Sequence, residues 1–155
     1  MAKSLTVPVD PDEPFGVAAR RVLPVRAKEF VDQVPGVRRA DDIEHLHDLR
    51  VSARRLRAVL EVFEGAFPKK RHRQVLDEIK HRTERMGDAR DLDVQLEFLD
   101  AFLEAAAPGE KPGIEWLVAT LHAERASAYG RLAPDLDAIE QGGFLGRVDD
   151  LAGDR

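Results

Sequence analysis

The chain has 155 residues, of which 43% are apolar and 34% charged, with a net charge of −5 and no cysteine. These values are ordinary for one soluble domain with a hydrophobic core, and the lack of cysteine excludes a disulfide scaffold and a thiolate metal site. No apolar run approaches the length of a membrane span and no signal-peptide pattern opens the chain, so the sequence predicts a cytoplasmic protein.

The charges are distributed unevenly along the chain. Residues 45–90 hold 12 Lys and Arg against 7 Asp and Glu, a balance of +5, together with four of the five histidines. Residues 91–155 hold 5 against 14, a balance of −9. This asymmetry predicts an anion-binding face on an otherwise acidic protein.

The N-terminal part divides into a tail and the start of one domain. Residues 1–13 are predicted to form a flexible tail, and residues 14–155 a single helical domain. A first helix is expected over residues 15–34, with a kink at Pro24. The Pro-Gly pair at 35–36 should end this helix.

The next predicted helix runs from Asp41 to Phe67 and is the central element of the chain. Asp41 can cap its first backbone N–H groups, and Glu44 three residues later completes a capping-box pattern. Pro68 should end it, because proline disfavours helical geometry in the residue before it. Apolar side chains recur at about 100° per residue and should face the core: they are Leu49, Ala53, Leu56, Leu60, Phe63 and Phe67.

A second stripe on the central helix is cationic. It consists of His47, Arg50, Arg54 and Arg57, which we call the arginine ladder, while Arg55 projects from the opposite flank. The ladder extends roughly 15 Å along the helix axis. Arginines on a helix often form only a solvated face. Here, however, Glu61 is the one acidic residue a turn beyond Arg57, so the ladder lacks alternating compensation and favours a long polyanion.

The helix after Pro68 begins with five consecutive basic or potentially basic residues, 69–73. They are either a solvated helix start or a mobile basic lip that catches a polyanion. The apolar phase changes after Gly87, which predicts a kink or a short break between Gly87 and Asp91.

The C-terminal part contains a turn-rich linker at 105–113, a further helix, and a tail over 134–151 that should form two short helices. Arg125 falls on the apolar face of the helix that follows the linker. Burying a guanidinium unpaired would cost several kcal/mol. Arg125 therefore needs either an internal carboxylate, Asp91 or Asp93, or a bound anion.

Two motifs in this order resemble the CHAD family, the conserved-histidine α-helical domain. They are His47-x-x-Arg50-Val51-x-x-Arg54-Arg55-Leu56-Arg57 and Gly87-x-Ala89-Arg90-Asp91-Leu92-Asp93-Val94. The resemblance covers about residues 15–151. It implies an all-helical domain that binds inorganic polyphosphate in a basic groove and has no catalytic activity, standing alone or fused to triphosphate-tunnel enzymes. Lys80 and Arg90 match basic positions of the family pattern.

Family members resemble two four-helix bundles in tandem, whereas this chain has room for one. The predicted fold is all-α, an antiparallel four-helix bundle with short C-terminal helices that resembles one half of a CHAD domain. A homodimer would bring two ladders to one groove and is also predicted, as is association with polyphosphate granules. The predicted polyphosphate-binding residues are His47, Arg50, Arg54, Arg55, Arg57, Lys69, Lys70, Arg73, Lys80, Arg90 and Arg125.

Two alternatives of other classes come from the histidines. Glu44-x-x-His47 and Glu78-x-x-His81 are the pairs that a di-metal carboxylate bundle would use, although nearby arginines would repel a divalent cation. His47 could also serve as a phosphotransfer residue. Neither alternative is preferred, and we expect no bound metal.

Other activities lack their sequence signals. No nucleophile–base–orienter set or glycine-rich phosphate loop indicates an enzyme or a cofactor. The aromatic residues of the central helix, Phe63 and Phe67, belong to the apolar stripe, so none is expected to stack on bases. Sequence-specific nucleic-acid binding is therefore not predicted.

Overall fold

A computed structural model describes residues 4–153, and within them the prediction of an all-α fold is confirmed. This part of the chain forms seven α-helices and one turn of 3-10 helix at Glu64–Ala66. The α-helices are α1 Phe15–Val31, α2 Val34–Arg39, α3 Ile43–Val62, α4 Lys69–Glu84, α5 Met86–Ala105, α6 Lys111–Glu140 and α7 Phe144–Gly153.

Helix α3 lies at the centre of the bundle, where it contacts α1, α2, α4 and α5. Leu46, Leu49, Leu56 and Leu60 are completely buried on its inner face, and each contributes about 1.5–3 kcal/mol relative to an exposed side chain. The predicted apolar stripe from Leu49 to Leu60 is therefore the core face of α3, whereas Phe63 and Phe67 lie beyond its end. Helix α7 closes the bundle against α1, with the Phe144 ring edge-on to Phe30 at 5.8 Å.

The first helix ends earlier than predicted. Helix α1 stops at Val31, and residues 34–39 form the separate helix α2 instead of a helix end and a connection. Pro35 lies in the first turn of α2, where a missing N–H leaves no hydrogen bond unmade. Ala40 ends α2 in the left-handed conformation, with φ of 52°.

Both ends of the central helix also differ from the prediction. Asp42, not Asp41, caps α3, and its side chain accepts a hydrogen bond from the Glu44 backbone N–H at 2.8 Å. At the other end α3 stops at Val62. Pro68 holds Phe67 in an extended conformation and has no N–H to donate, so the last turn tightens into the 3-10 turn.

The C-terminal boundaries also differ from the prediction. The break after α4 falls at Arg85, ahead of the predicted region. Helix α6 continues through Pro134 to Glu140, so the tail adds only one separate short helix, α7. Buried Leu132 and Leu136 lie on either side of Pro134, and this packing outweighs the hydrogen bond that proline cannot make.

Helices α5 and α6 form a hairpin. Asp93 contacts Arg125 and Arg85 contacts Asp135, so the two helices run in opposite directions. Much of the apolar surface of the hairpin remains uncovered, including the stacked rings of Phe98 and Phe102. The exposed large apolar residues on it are Val94, Phe98, Phe102, Trp116 and Leu117.

Part of the predicted N-terminal tail contacts α1. Arg26 donates hydrogen bonds to the Ser4 hydroxyl and the Leu5 carbonyl, and Glu29 accepts one from the Leu5 N–H. Residues 1–3 of that tail lie outside the described residues, and the flexibility of the whole tail stays a prediction. Over residues 4–153, no helix combines the length and the apolar character needed to cross a bilayer.

Candidate functional site

Three of the four ladder residues converge on one small concavity between α3 and α4. It has a volume of about 180 Å³ and is lined by Arg50, Ala53, Arg54, Arg57 and Thr83. We call it the arginine concavity. Within residues 4–153, neither Arg50 nor Arg54 makes a hydrogen bond or an ion pair. Two uncompensated guanidinium groups therefore face a space bordered by a third.

The register of α3 places these side chains together. Arg50, Arg54 and Arg57 occupy successive turns on one flank, next to the buried stripe that anchors the helix. Ala53 is 3% exposed, and its small side chain leaves the space open between the arginines. Thr83, on α4, donates its hydroxyl hydrogen to the Ile79 carbonyl at 2.7 Å.

Arg50 also reaches the start of α5. A Cβ placed on Gly87 would lie 3.4 Å from Nη1 of Arg50, which is ordinary van der Waals contact. A long side chain at this position would compete with the guanidinium for space. Gly87 lies in the first turn of α5, which has no side-chain cap. Asp88 lies in the same turn, so the positive end of α5 is already partly compensated near Arg50.

Arg57 has an unsatisfied donor. Its Nε is buried and, within the described part of the chain, has no hydrogen-bond partner. Its nearest carboxylate is Glu61, at 4.0 Å from Nη2, which is too long for a hydrogen bond. A buried donor without an acceptor is costly, so this conformation of Arg57 carries an energetic cost.

A second concavity of about 440 Å³ continues the groove between α3 and α4. It is lined by Glu61, Glu64, Lys69, His72, Arg73, Leu76, Asp77 and Lys80, and we call it the mixed-charge concavity. Lys80, one turn before Thr83, has no ion pair within residues 4–153. Arg73 lies 3.9 Å from Asp77. Lys69 and Lys70 are exposed and line the adjoining surface with Arg73.

A family model described as the CHAD domain matches residues 22–155, which is nearly the whole chain. The chain belongs to the CHAD family. The resemblance seen in the two motifs is thereby confirmed. CHAD domains are known in general terms to bind polyphosphate, and the family is one of binding modules. No curated protein matches the chain.

The other CHAD motif residues lie around the arginine concavity without lining it. Arg90 is largely buried, donates a hydrogen bond to the Ile43 carbonyl at 3.3 Å and lies 3.9 Å from Glu44. It therefore ties α5 to the start of α3. Arg55 is partly buried and does not line the arginine concavity.

His47 lies beside carboxylates. Its ring and the side chains of Glu44 and Asp48 offer ligand atoms within 4.8 Å of one another. The second pair of the di-metal alternative does not join this group, because Glu78 accepts hydrogen bonds from Arg147 at 2.5 and 2.9 Å. The two Glu-x-x-His pairs thus form no common cluster within residues 4–153.

Arg125 has an internal partner. Its Nε donates to Asp93 at 2.6 Å, and the Tyr129 hydroxyl donates to the other Asp93 oxygen at 2.8 Å. The guanidinium also lies over the Tyr129 ring, 4.2 Å from its centroid. Burial opposes the charge on Arg125, but its bonds to Asp93 raise its pKa. Of the two partners predicted for Arg125, an internal carboxylate or a bound anion, the structure shows the carboxylate, Asp93.

Tyr129 should make the fold sensitive to alkaline pH. Burial, followed by the bond to Asp93, raises its pKa well above its ordinary value. In the unfolded chain this single tyrosine ionises near its usual pKa of about 10, so the free energy of unfolding should fall as pH rises past that point. Urea unfolding at about pH 8 and about pH 11 should show a larger loss for the wild type than for Tyr129→Phe. An equal loss in both proteins would contradict this role.

The sequence does not predict the role of two residues close to the arginine concavity. Asp135 is 2% exposed and accepts hydrogen bonds from Arg82 at 3.4 Å and from Arg85 at 3.5 Å. These two ion pairs attach α6 to the α4–α5 junction, next to Thr83. An acidic residue directly after Pro134, between buried leucines, was the available signal. Nothing in the sequence singled out Thr83, because its role depends on how α4 faces α3.

Proposed function

We propose that this chain binds inorganic polyphosphate, without catalysis, along the groove between α3 and α4. The observation that carries the proposal is the arginine concavity, where Arg50 and Arg54 face open space with no carboxylate partner among residues 4–153. Lys80 and the lysines at the start of α4 supply further charge along the groove.

The chemistry of the arginine concavity favours phosphate. A guanidinium stays charged and presents a planar fork of donors that matches phosphate oxygens, and these charge-assisted bonds are about twice as strong as neutral ones. A polymer that engages several such groups at once gains affinity through avidity and counterion release. The lining of the concavity offers no activated nucleophile or general base, which supports a binding role.

Affinity for long-chain polyphosphate should fall steeply with salt. With three to four cationic contacts, log K should decrease by roughly 0.7 per contact for each tenfold rise in salt, as for single-stranded polyanions. Fluorescence anisotropy with labelled polyphosphate at several salt concentrations measures this slope, with duplex DNA at equal phosphate concentration as competitor. Tighter binding to the DNA would favour another polyanion as the ligand.

We also propose that the chain forms a two-fold dimer and acts in the cytoplasm, where polyphosphate granules would offer it a surface. The apolar contact would be the α5–α6 hairpin. The residues Phe98, Phe102 and Trp116 are 67%, 50% and 70% exposed, and together they present on the order of 400 Å². This area is comparable to the largest apolar patch of a typical monomer.

Salt should affect dimerisation and polyphosphate binding in opposite directions. Residues 91–124 carry eight acidic residues against one basic residue, so two hairpins repel at low salt and associate better when screened. Light scattering with and without polyphosphate should find a dimer at high salt, and Phe98→Ser/Trp116→Ser should be monomeric. A wild-type monomer under every condition, at concentrations well above the polyphosphate dissociation constant, would remove the dimer.

A further inference from the structure

Carboxylates border the arginine concavity at both ends. Toward the start of α3, Glu44 lies 3.9 Å from Arg90 and shares a cluster with His47 and Asp48. Toward the end of α3, Glu61 and Glu64 line the mixed-charge concavity. The cationic stretch of α3 from Arg50 to Arg57 is therefore only about 10 Å long, shorter than the ladder that the sequence predicts.

The opposite wall of the groove has the same pattern. Along α4, Lys80 precedes Thr83 of the arginine concavity, and Asp77 lies one turn before Lys80. Arg73 is 3.9 Å from Asp77. The basic residues at the start of α4 are thus separated from the arginine concavity by acidic residues on both walls.

We propose that Glu61, Glu64 and Asp77 limit how many consecutive phosphates one chain holds, so that the protein contacts a short stretch of a long polymer. This inference rests on the proposed function. A phosphate chain that extends from Arg57 toward Lys69 passes these three carboxylates, and like charges repel. The carboxylates would therefore cancel much of the attraction from Lys69 and Arg73.

A structural role for Glu61 would have the opposite effect on binding. If Glu61 served mainly to orient Arg57, from which it lies 4.0 Å away, its loss would weaken binding of even the shortest polyphosphates. If it limits the bound length, its loss leaves short chains unaffected and strengthens binding of long ones. The two roles are therefore distinguishable by chain length.

The test compares Glu61→Gln/Glu64→Gln/Asp77→Asn with the wild type on a series from tripolyphosphate to long-chain polyphosphate. The control, Asp12→Asn/Asp32→Asn/Asp149→Asn, removes the same charge from exposed positions before α1, after α1 and on α7, outside both the α3–α4 groove and the α5–α6 hairpin. Affinity, salt slope and the number of phosphates covered per protein at saturation are measured. The groove variant should bind long chains about tenfold more tightly, with a salt slope steeper by about one to two contacts, and should cover more phosphates. Binding of tripolyphosphate should be unchanged.

Two results would overturn the inference. One is an unchanged number of covered phosphates and an unchanged salt slope in the groove variant. The other is an equal gain in the control variant, which would attribute the effect to net charge. If the wild type binds no polyphosphate of any length, the proposed function fails instead, so the two failures are separable.

Discussion

Replacing Arg50, Arg54 and Arg57 together by alanine is expected to lower the affinity for long-chain polyphosphate by about a thousandfold or more. A hydrogen bond to a charged group contributes about 1.5–3 kcal/mol, and each 1.4 kcal/mol corresponds to a factor of ten. All three side chains line the arginine concavity, and none of them fills the core, so the variant should remain folded. Titration by fluorescence anisotropy at fixed salt measures the loss.

A matched control keeps net charge out of the comparison. Arg21, Arg39 and Arg131 are exposed residues on α1, α2 and α6, and their joint replacement by alanine removes the same charge at a distance from the groove. This control should lose less than about tenfold, as expected for screened long-range charge. Equal losses in the two variants, or an undiminished affinity in the groove variant, would contradict the assignment of the site.

Removal of Asp93 should have the largest effect on stability. Asp93 is completely buried and holds both Arg125 and Tyr129, so Asp93→Ala leaves a largely buried guanidinium without its carboxylate. Breaking a buried ion pair in this way costs about 3–5 kcal/mol, which is a large part of the 5–15 kcal/mol typical of a domain. Urea unfolding measures the change in the free energy of unfolding.

The double variant Asp93→Leu/Arg125→Met distinguishes the cost of an unpaired buried charge from the cost of lost packing. Replacing both partners by apolar residues should recover most of the lost stability. It also tests the predicted role of Arg125 in anion binding, because its polyphosphate affinity should equal that of the wild type. A double variant as unstable as Asp93→Ala would show that packing, not the unpaired charge, causes the loss.

The part of the site that follows from local periodicity could be predicted from the sequence. Arg50, Arg54 and Arg57 are three to four residues apart on one helix, so their common flank requires no knowledge of the tertiary structure. The same holds for the buried leucines of α3. Helix ends are less predictable, because several local effects compete there. At the end of α3, Pro68 holds Phe67 in an extended conformation and the chain before it forms a 3-10 turn instead of a further α-helical turn.

The relations between helices could not be predicted. The closeness of Arg50 to the start of α5 and the position of Thr83 depend on how α4 and α5 pack against α3. The sequence offers both Asp91 and Asp93 as the carboxylate partner of Arg125. Only the packing of α5 against α6 shows that Asp93 is the partner. The carboxylates beside the groove are ordinary surface residues in the sequence and become relevant only through the walls they line.

The most direct test of the proposed site is to observe the arginine side chains while polyphosphate is added. The Nε–Hε groups of Arg50, Arg54 and Arg57 give separate NMR signals that can be assigned by single substitutions. We predict that these three signals shift progressively and saturate together, while that of Arg125, bonded to Asp93, stays in place. Saturable binding with shifts confined to other arginines, and none in the arginine concavity, would contradict the account.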